Sequence, residues 1–173
     1  NTEPVSEIIS FLEKKFPLLA FTCWSTMQIN PFMHHLLGKF VTFVHVDRDL
    51  MPSVFDSLRD SNHEVYLNPT RREVNKSYSV SEQNIVIRPT ITKAPVKEHT
   101  AKIEKILVDL YIERDVFQIM NPAEFREMAD RLISTARVAI SELISYAKHR
   151  KVKLEDIFGN SEYTISSLAR KRR

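Results

Sequence analysis

The sequence predicts an α/β fold, with a mixed or mostly parallel sheet of about four to five strands, flanking helices and a C-terminal helical cluster. In the first half, segments with helical spacing alternate with short runs rich in Val and Phe, an order typical of a parallel α/β layer. In the second half, apolar residues recur mainly at helical spacing. Between the halves, Thr100–Ile112 is apolar on more than one face, so we expect a central helix that packs on two sides.

The first half begins with a helix and continues through four predicted strands. Apolar residues from Val5 to Phe16 repeat at helical spacing, while Pro4 suits the start of a helix and Pro17 ends it. Runs of apolar, β-branched and aromatic residues predict the strands at Leu18–Trp24, Lys39–Val46, Glu64–Leu67 and Asn84–Arg88.

The segments between these strands predict two helices and one loop. Ser25 is expected to cap a short helix that runs toward His35, and Asp49 to cap the helix before the third strand. Asn68–Ser81 contains turn residues and charges without a sustained period, which indicates an exposed loop.

The central helix is followed by a short segment of ambiguous structure and then by three helices. Asp115–Met120 fits either a short strand or an extended link. Asn121 and Pro122 supply an N-cap and a first-turn proline for a helix that buries residues up to Ile133. The last two helices are predicted at about Thr135–His149 and at Leu154–Phe158, where Gly159 ends the second.

Length and composition are those of an ordinary globular protein. The 173 residues, 43% hydrophobic and 27% charged, are expected to form one α/β domain over residues 1–158, followed by a basic, flexible tail over residues 159–173. No apolar run approaches the length of a membrane helix, and one cysteine cannot form an intramolecular disulfide. We therefore expect a cytoplasmic protein that has no membrane partner.

Positive charge is concentrated at the C-terminal end of the chain. From Lys148 onward there are eight basic and three acidic residues, a net charge of +5; the whole chain carries +3, so the first 147 residues carry −2. Such an end either keeps the protein soluble or binds a polyanion. The candidate nucleic-acid-binding residues are Arg137, Lys148, Arg150, Lys151, Lys153, Arg170, Lys171, Arg172 and Arg173.

The sequence lacks the usual motifs of catalysis. With Gly38 and Gly159 as its only glycines, it has no P-loop, dinucleotide-binding fingerprint or nucleophile elbow. His34 and His35 are adjacent, whereas two ligands on one helix face are usually four residues apart. Cys23 lies in an apolar strand and is interpreted as a core residue. We therefore expect no catalytic residue, no metal site and no cofactor.

Two pairs of polar residues have side chains of the types found in catalytic or metal sites. His45 and Asp47 are two apart on a predicted strand and share a face, as an acid–base or metal pair would, although strand ends often carry such residues for capping. Glu104 and Asp109 are five residues apart on a helix, about 140° around its axis, so they are not expected to share one metal or substrate. An ionic or capping role is the better interpretation of that second pair.

Two segments carry a resemblance to a known family. Glu104-Lys105-Ile106-Leu107-Val108-Asp109-Leu110, after a proline-containing connector, and the later Ile140–Arg150 together resemble the C-terminal region of AbiEi-type antitoxins of type IV toxin–antitoxin systems. Trp24-Ser25-Thr26, Phe40–Asp47 and Val65–Pro69 are similar to uncharacterised bacterial proteins related to those antitoxins. The motif residues are Glu104, Lys105, Asp109 and Tyr146.

The resemblance implies a regulator that represses its own operon and counters a nucleotidyltransferase-like toxin. Too few residues precede the first predicted strand for the winged helix with which such antitoxins read DNA. We therefore expect a non-enzymatic regulatory or interaction protein, whose partners are a cognate nucleotidyltransferase-like toxin and, through the basic end, DNA. The alternative is a degenerate nuclease-like or nucleotidyltransferase-like α/β enzyme, for which His45, Asp47 and Glu64 would be the only cluster.

Overall fold

The computed structural model describes residues 3–79 and 81–159, which belong to two compact units. The sheet unit consists of the described parts of Asn1–Pro31, Leu36–Thr92 and Val96–Ala101. The helical unit consists of Phe32–His35, Lys93–Pro95 and residues 102–159. The single α/β domain over residues 1–158 stays a prediction. Apart from Gly159, the predicted tail lies outside the described residues.

The sheet unit confirms the predicted α/β class, with a six-stranded mixed sheet and helices. In chain order the elements are α1 (Glu3–Lys15), β1 (Phe21–Ser25), a 3₁₀ helix (Thr26–Phe32), β2 (Phe40–Val46), a 3₁₀ turn (Arg48–Leu50), α2 (Met51–Asp60), β3 (Glu64–Leu67), α3 (Arg71–Ser77), β4 (Gln83–Pro89), β5 (Val96–Lys97) and β6 (Thr100–Ala101). The strand order in the sheet is β3-β4-β2-β1-β6-β5. Strands β2, β4 and β3 are parallel to one another, β1 is antiparallel to β2 and parallel to β6, and β5 is antiparallel to β6.

One face of this sheet forms a core with helices α1 and α2. Because side chains alternate between the faces of a strand, every second residue of β1, β2 and β4 points to the same side. The buried residues of this core are Val5, Ile8 and Leu12 of α1, Met51, Val54 and Leu58 of α2, and Phe21, Cys23, Val44, Val46, Ile85 and Ile87 of the strands. The helical spacing and the apolar runs of the strands identified in the sequence therefore meet in one core.

Three sequence predictions for the sheet unit are corrected by the structure. Leu18 is fully exposed, and the first strand begins only at Phe21. Asp49 lies inside the 3₁₀ turn before α2 and does not cap that helix. The predicted loop contains α3, whose first turn is held by a capping box in which Thr70 accepts a hydrogen bond from the Glu73 amide and Glu73 accepts one from the Thr70 amide.

The helical unit contains α4 (Ile103–Val116), α5 (Pro122–Thr135), α6 (Ile140–His149) and α7 (Leu154–Phe158). The capping box of Asn121 and Glu124 at the start of α5 confirms the predicted N-terminus. Asp115–Met120 is neither a strand nor an extended link, because α4 continues to Val116 and a turn follows. The predicted helix from Thr135 is also corrected, since α6 begins only at Ile140.

The central segment forms a helix whose buried surface includes charged residues as well as its apolar stripe. Ile106, Leu107 and Leu110 are buried as predicted, but Thr100–Ala101 form β6 and the helix begins at Ile103. Four of the buried positions of α4 are charged, namely Glu104, Lys105, Asp109 and Glu113. Within residues 3–79 and 81–159, no helix is long and apolar enough to cross a bilayer.

We expect Leu107→Ala to lower the free energy of unfolding by about 2–5 kcal/mol, because the removed side chain is fully buried in α4. Chemical denaturation of the two proteins measures this difference. Leu18→Ala is the matched control, since the same atoms are lost from a fully exposed position and the expected change is within about 0.5 kcal/mol. Equal losses in both variants would contradict the burial of α4.

We also expect both units to unfold in one transition, as the single-domain prediction requires. Trp24, the only tryptophan, is buried in the sheet unit against Phe43, with 4.4 Å between ring centroids. Its fluorescence reports that unit, whereas circular dichroism reports the helices of both units. In Leu107→Ala the two signals should shift together, because a cooperative domain shows the same midpoint with every probe. An unmoved fluorescence midpoint would show that the sheet unit unfolds separately.

Candidate functional site

In the helical unit, several polar side chains surround the carboxylate of Asp109 on α4. The Tyr146 hydroxyl donates a hydrogen bond to Asp109 Oδ1 at 2.8 Å. The ammonium of Lys105 and the guanidinium of Arg150 form ion pairs with the same carboxylate. We call these four residues the Asp109 network. Three donors on one carboxylate satisfy most of its accepting capacity, as a buried charge requires.

Helical spacing brings the four residues of the network together. Lys105 and Asp109 are four residues apart on α4, and Tyr146 and Arg150 are four residues apart at the end of α6, so each pair lies on one side of its helix. The Tyr146 hydroxyl also lies 3.4 Å from Lys105 Nζ and 3.2 Å from an Arg150 nitrogen. The ammonium of Lys105 is 5.6 Å from the centroid of the Tyr146 ring, within cation–π distance.

Burial determines the electrostatics of the network. The side chains of Lys105 and Asp109 are 1% and 2% exposed, and that of Arg150 is 19% exposed. Desolvation lowers the pKa of Lys105, and the negative charge of Asp109 opposes that shift. Burial, together with the charge of Asp109, raises the pKa of Tyr146, so its hydroxyl keeps the proton that it donates. The arrangement therefore holds charge in place and links two helices.

Two further contacts link α4 to the start of α6. Glu104 Oε1 accepts a hydrogen bond of 2.6 Å from the backbone amide of Ala139, the residue before the first turn of α6. Lys102 and Glu142 form a half-exposed ion pair at 3.2 Å. Glu104 and Asp109 thus have separate partners, which confirms the ionic and capping roles predicted for them. The contact to Ala139 also explains why α6 begins later than its apolar pattern indicated.

The basic residues predicted near the end of α6 differ in their surroundings. Lys148, Lys151 and Lys153 are exposed, and Arg137 is exposed in the link before α6. Arg150 instead turns toward Asp109 and is only partly accessible. The remaining predicted cations, Arg170, Lys171, Arg172 and Arg173, lie outside the described residues.

The structure does not assemble the cluster on which the enzyme alternative depends. The side chain of His45 is buried, with Nε2 accepting from the Trp24 indole at 3.3 Å and Nδ1 lying 3.3 Å from the Pro89 carbonyl. Asp47 is exposed, and so is Glu64, which accepts a hydrogen bond from the Tyr66 hydroxyl.

Strand register separates His45 from Glu64. On the intervening strand β4, His45 pairs with Arg88 and Glu64 pairs with Asn84. Four residues of strand correspond to about 13 Å, so these two side chains lie at different levels of the sheet.

The other residues considered for metal binding or nucleophilic chemistry, His34, His35 and Cys23, do not form a site with one another. His34 and His35 are exposed and contact each other edge to face, and no group of three or more metal-ligating side chains occurs within residues 3–79 and 81–159. Cys23 is fully buried, and desolvation raises the pKa of its thiol. This agrees with the predicted role of Cys23 as a core residue.

Comparison with known proteins identifies a family for the chain. A family model described as "Family of unknown function (DUF6577)" matches residues 1–162. The chain belongs to the DUF6577 family. No curated protein and no solved structure matches it. The region that matches DUF6577 contains the whole Asp109 network, and the family description assigns no function to it.

The helical unit of this DUF6577 protein also contains a cleft that the sequence did not predict. It has a volume of about 360 Å³ and lies among residues of α4, α5 and α7. Its charged lining residues are Arg114, Arg126, Glu155 and Asp156. These residues come from three separate segments, and none of them belongs to a recognisable motif. Only their proximity in the folded chain reveals them as a group.

We expect Asp109→Asn to lower the free energy of unfolding by about 3–5 kcal/mol, because it leaves the buried ammonium of Lys105 without a counter-charge. Denaturant unfolding measures the change. The double variant Lys105→Met with Asp109→Asn should recover part of the loss, since it removes the more deeply buried of the two cations that Asp109 pairs. Glu142→Gln, which breaks the half-exposed pair with Lys102, is the control and should cost less than about 1 kcal/mol. A double variant no more stable than Asp109→Asn would contradict this explanation.

Proposed function

We propose that this DUF6577 protein is a non-enzymatic regulatory interaction protein that contacts nucleic acid through the basic segment at the end of α6. The observation that carries the proposal is the exposed set Lys148, Lys151 and Lys153, which lies on a backbone held in place beside Arg150. We call these three residues the lysine set. An electrostatic contact of this kind suits a phosphate backbone.

The backbone around the lysine set is fixed by hydrogen bonds. The amide of Val152 donates to the Ala147 carbonyl at 2.8 Å, and the amide of Asp156 donates to the Lys153 carbonyl at 3.1 Å. The ion pair of Arg150 with Asp109 anchors the same stretch to α4. Ordering this segment on binding therefore costs less conformational entropy than ordering a free chain.

The local charge also supports binding to a polyanion. From Arg137 to Lys153 there are five basic residues and one acidic residue, a net charge of +4. The acidic residue, Glu142, is already paired with Lys102. Attraction of this kind is directed at phosphates and carries no base recognition, so the expected binding is largely independent of sequence and weakened steeply by salt.

The resemblance to AbiEi-type antitoxins supports a protein partner in addition. We propose a nucleotidyltransferase-like toxin as that partner and repression of the protein's own operon as the regulatory outcome. Since Glu104, Lys105, Asp109 and Tyr146 are occupied in holding α6 to α4, a toxin would contact exposed positions of α6 instead. Those positions include Ser141, Ser145, Lys148 and His149. A cytoplasmic location fits this proposal.

We expect replacement of the lysine set by glutamine to weaken binding to a labelled DNA duplex. The plot of log K against log salt has a negative slope, and its magnitude should decrease by roughly 0.9 for each phosphate contact that is lost. Fluorescence anisotropy titrations at a series of salt concentrations measure both quantities. A variant that lacks Arg170–Arg173 separates the contribution of the terminal cations.

The matched control is Lys14→Gln with Lys15→Gln and Lys76→Gln, which removes three exposed lysines from the sheet unit. Equal weakening in both triple variants would show that only net charge matters and would contradict a contact at the end of α6. Unchanged binding in the lysine-set variant would reject that contact as well. Co-purification with a nucleotidyltransferase encoded beside this protein tests the proposed toxin partner.

A further inference from the structure

The cleft among α4, α5 and α7 is lined by opposite charges that do not neutralise one another. Arg114 and Arg126 face the same cavity as Glu155 and Asp156. In the part of the chain that the structure describes, none of these four side chains forms an ion pair. Both signs of charge therefore remain available to a ligand.

Aromatic packing holds the guanidinium of Arg114 in the wall of the cleft. Its central carbon lies 4.5 Å from the ring centroid of Tyr111 and 5.2 Å from that of Phe125, and one terminal nitrogen donates to the Tyr111 carbonyl at 3.0 Å. The Nε atom is buried and has no hydrogen-bond partner among the described residues. Arg114 thus has donor capacity unused by the protein and little freedom to move.

The lining charges restrict the chemical class of a ligand. Two carboxylates disfavour a phosphate group, because it would bring further negative charge beside Glu155 and Asp156. Two guanidinium groups disfavour a divalent cation, and no group of three metal-ligating side chains is found in the described residues. An uncharged apolar ligand would leave all four charges without partners. The remaining class carries both a negative and a positive group.

The size of the cleft indicates a small ligand. Its volume of about 360 Å³ lies near the lower end of the range for small-molecule sites, roughly 300–1,000 Å³. We propose that the cleft binds a small zwitterion of the amino-acid type. The ligand carboxylate contacts Arg114 and Arg126, its ammonium group contacts Glu155 and Asp156, and Tyr111 and Phe125 border the site. This proposal does not depend on the binding of nucleic acid.

Titration of the ¹⁵N-labelled protein with the common L-amino acids, one at a time, tests the site by nuclear magnetic resonance. At least one amino acid should shift the amide signals of residues around the cleft, Gly159 included, with saturable binding. For that amino acid, the N-acetyl derivative lacks the ammonium charge and the methyl ester lacks the carboxylate. Each derivative should bind at least about tenfold more weakly, as expected when a charged hydrogen bond is lost.

Matched variants test three of the four charges that line the cleft. Arg126→Gln, and Glu155→Gln with Asp156→Asn, should each raise the Kd at least about tenfold. All three residues are exposed, so these variants are expected to fold. Arg72→Gln and Glu127→Gln remove exposed charges that do not line the cleft and should leave the Kd unchanged. The absence of saturable shifts with every amino acid, or equal binding by the cleft and control variants, would overturn the proposal.

Discussion

The buried negative charge of Asp109 is the constraint on which the helical unit depends. A carboxylate removed from water is tolerated only when donors surround it, and here Lys105, Tyr146 and Arg150 provide them. Hydrogen bonds need defined distances and directions, whereas apolar contacts tolerate small shifts. The network therefore fixes the end of α6 against α4 more narrowly than packing of Leu143 and Ala147 alone. The segment after Arg150 takes its position from this contact.

Regular periodicity explains which parts of the fold could be predicted from the sequence. The apolar run of β2 reflects burial on both faces of that strand and the stripe of α1 reflects burial of one face, and both elements lie where the pattern placed them. Helix α3 was missed because its seven residues bury only Val74 and so produce no stripe. Its sequence signal was local, the Thr70-x-x-Glu73 capping box. The start of α6 was misplaced because a side chain distant in sequence, Glu104, determines it.

In the candidate sites, too, spacing within one helix could be predicted from the sequence, whereas contacts between residues distant in sequence could not. The spacing of Lys105 and Asp109, and that of Tyr146 and Arg150, placed each pair on one side of a helix. The sequence did not show that the two pairs contact each other, and Arg150 was expected to face solvent or a partner. The contact requires the packing of α4 on α6, which no local pattern encodes. The cleft is harder still to predict, because no spacing or motif in the sequence relates Arg114 of α4 and Arg126 of α5 to the carboxylates of Glu155 and Asp156 on α7.

The burial pattern of α4 explains why this helix has no single apolar face. Leu107 and Leu110 are buried apolar positions, while Lys105 and Asp109 are buried through the network and Tyr111 and Arg114 border the cleft. Asp109 and Arg114 are five residues apart, about 140° around the axis, so the network and the cleft use different sides of the helix. Because α4 contributes to the core, to the buried ion network and to the wall of the cleft, little of its surface faces water. Glu104, Lys105 and Asp109 are therefore structural positions, and reading these charged residues as a solvent face would have given the wrong orientation for the helix.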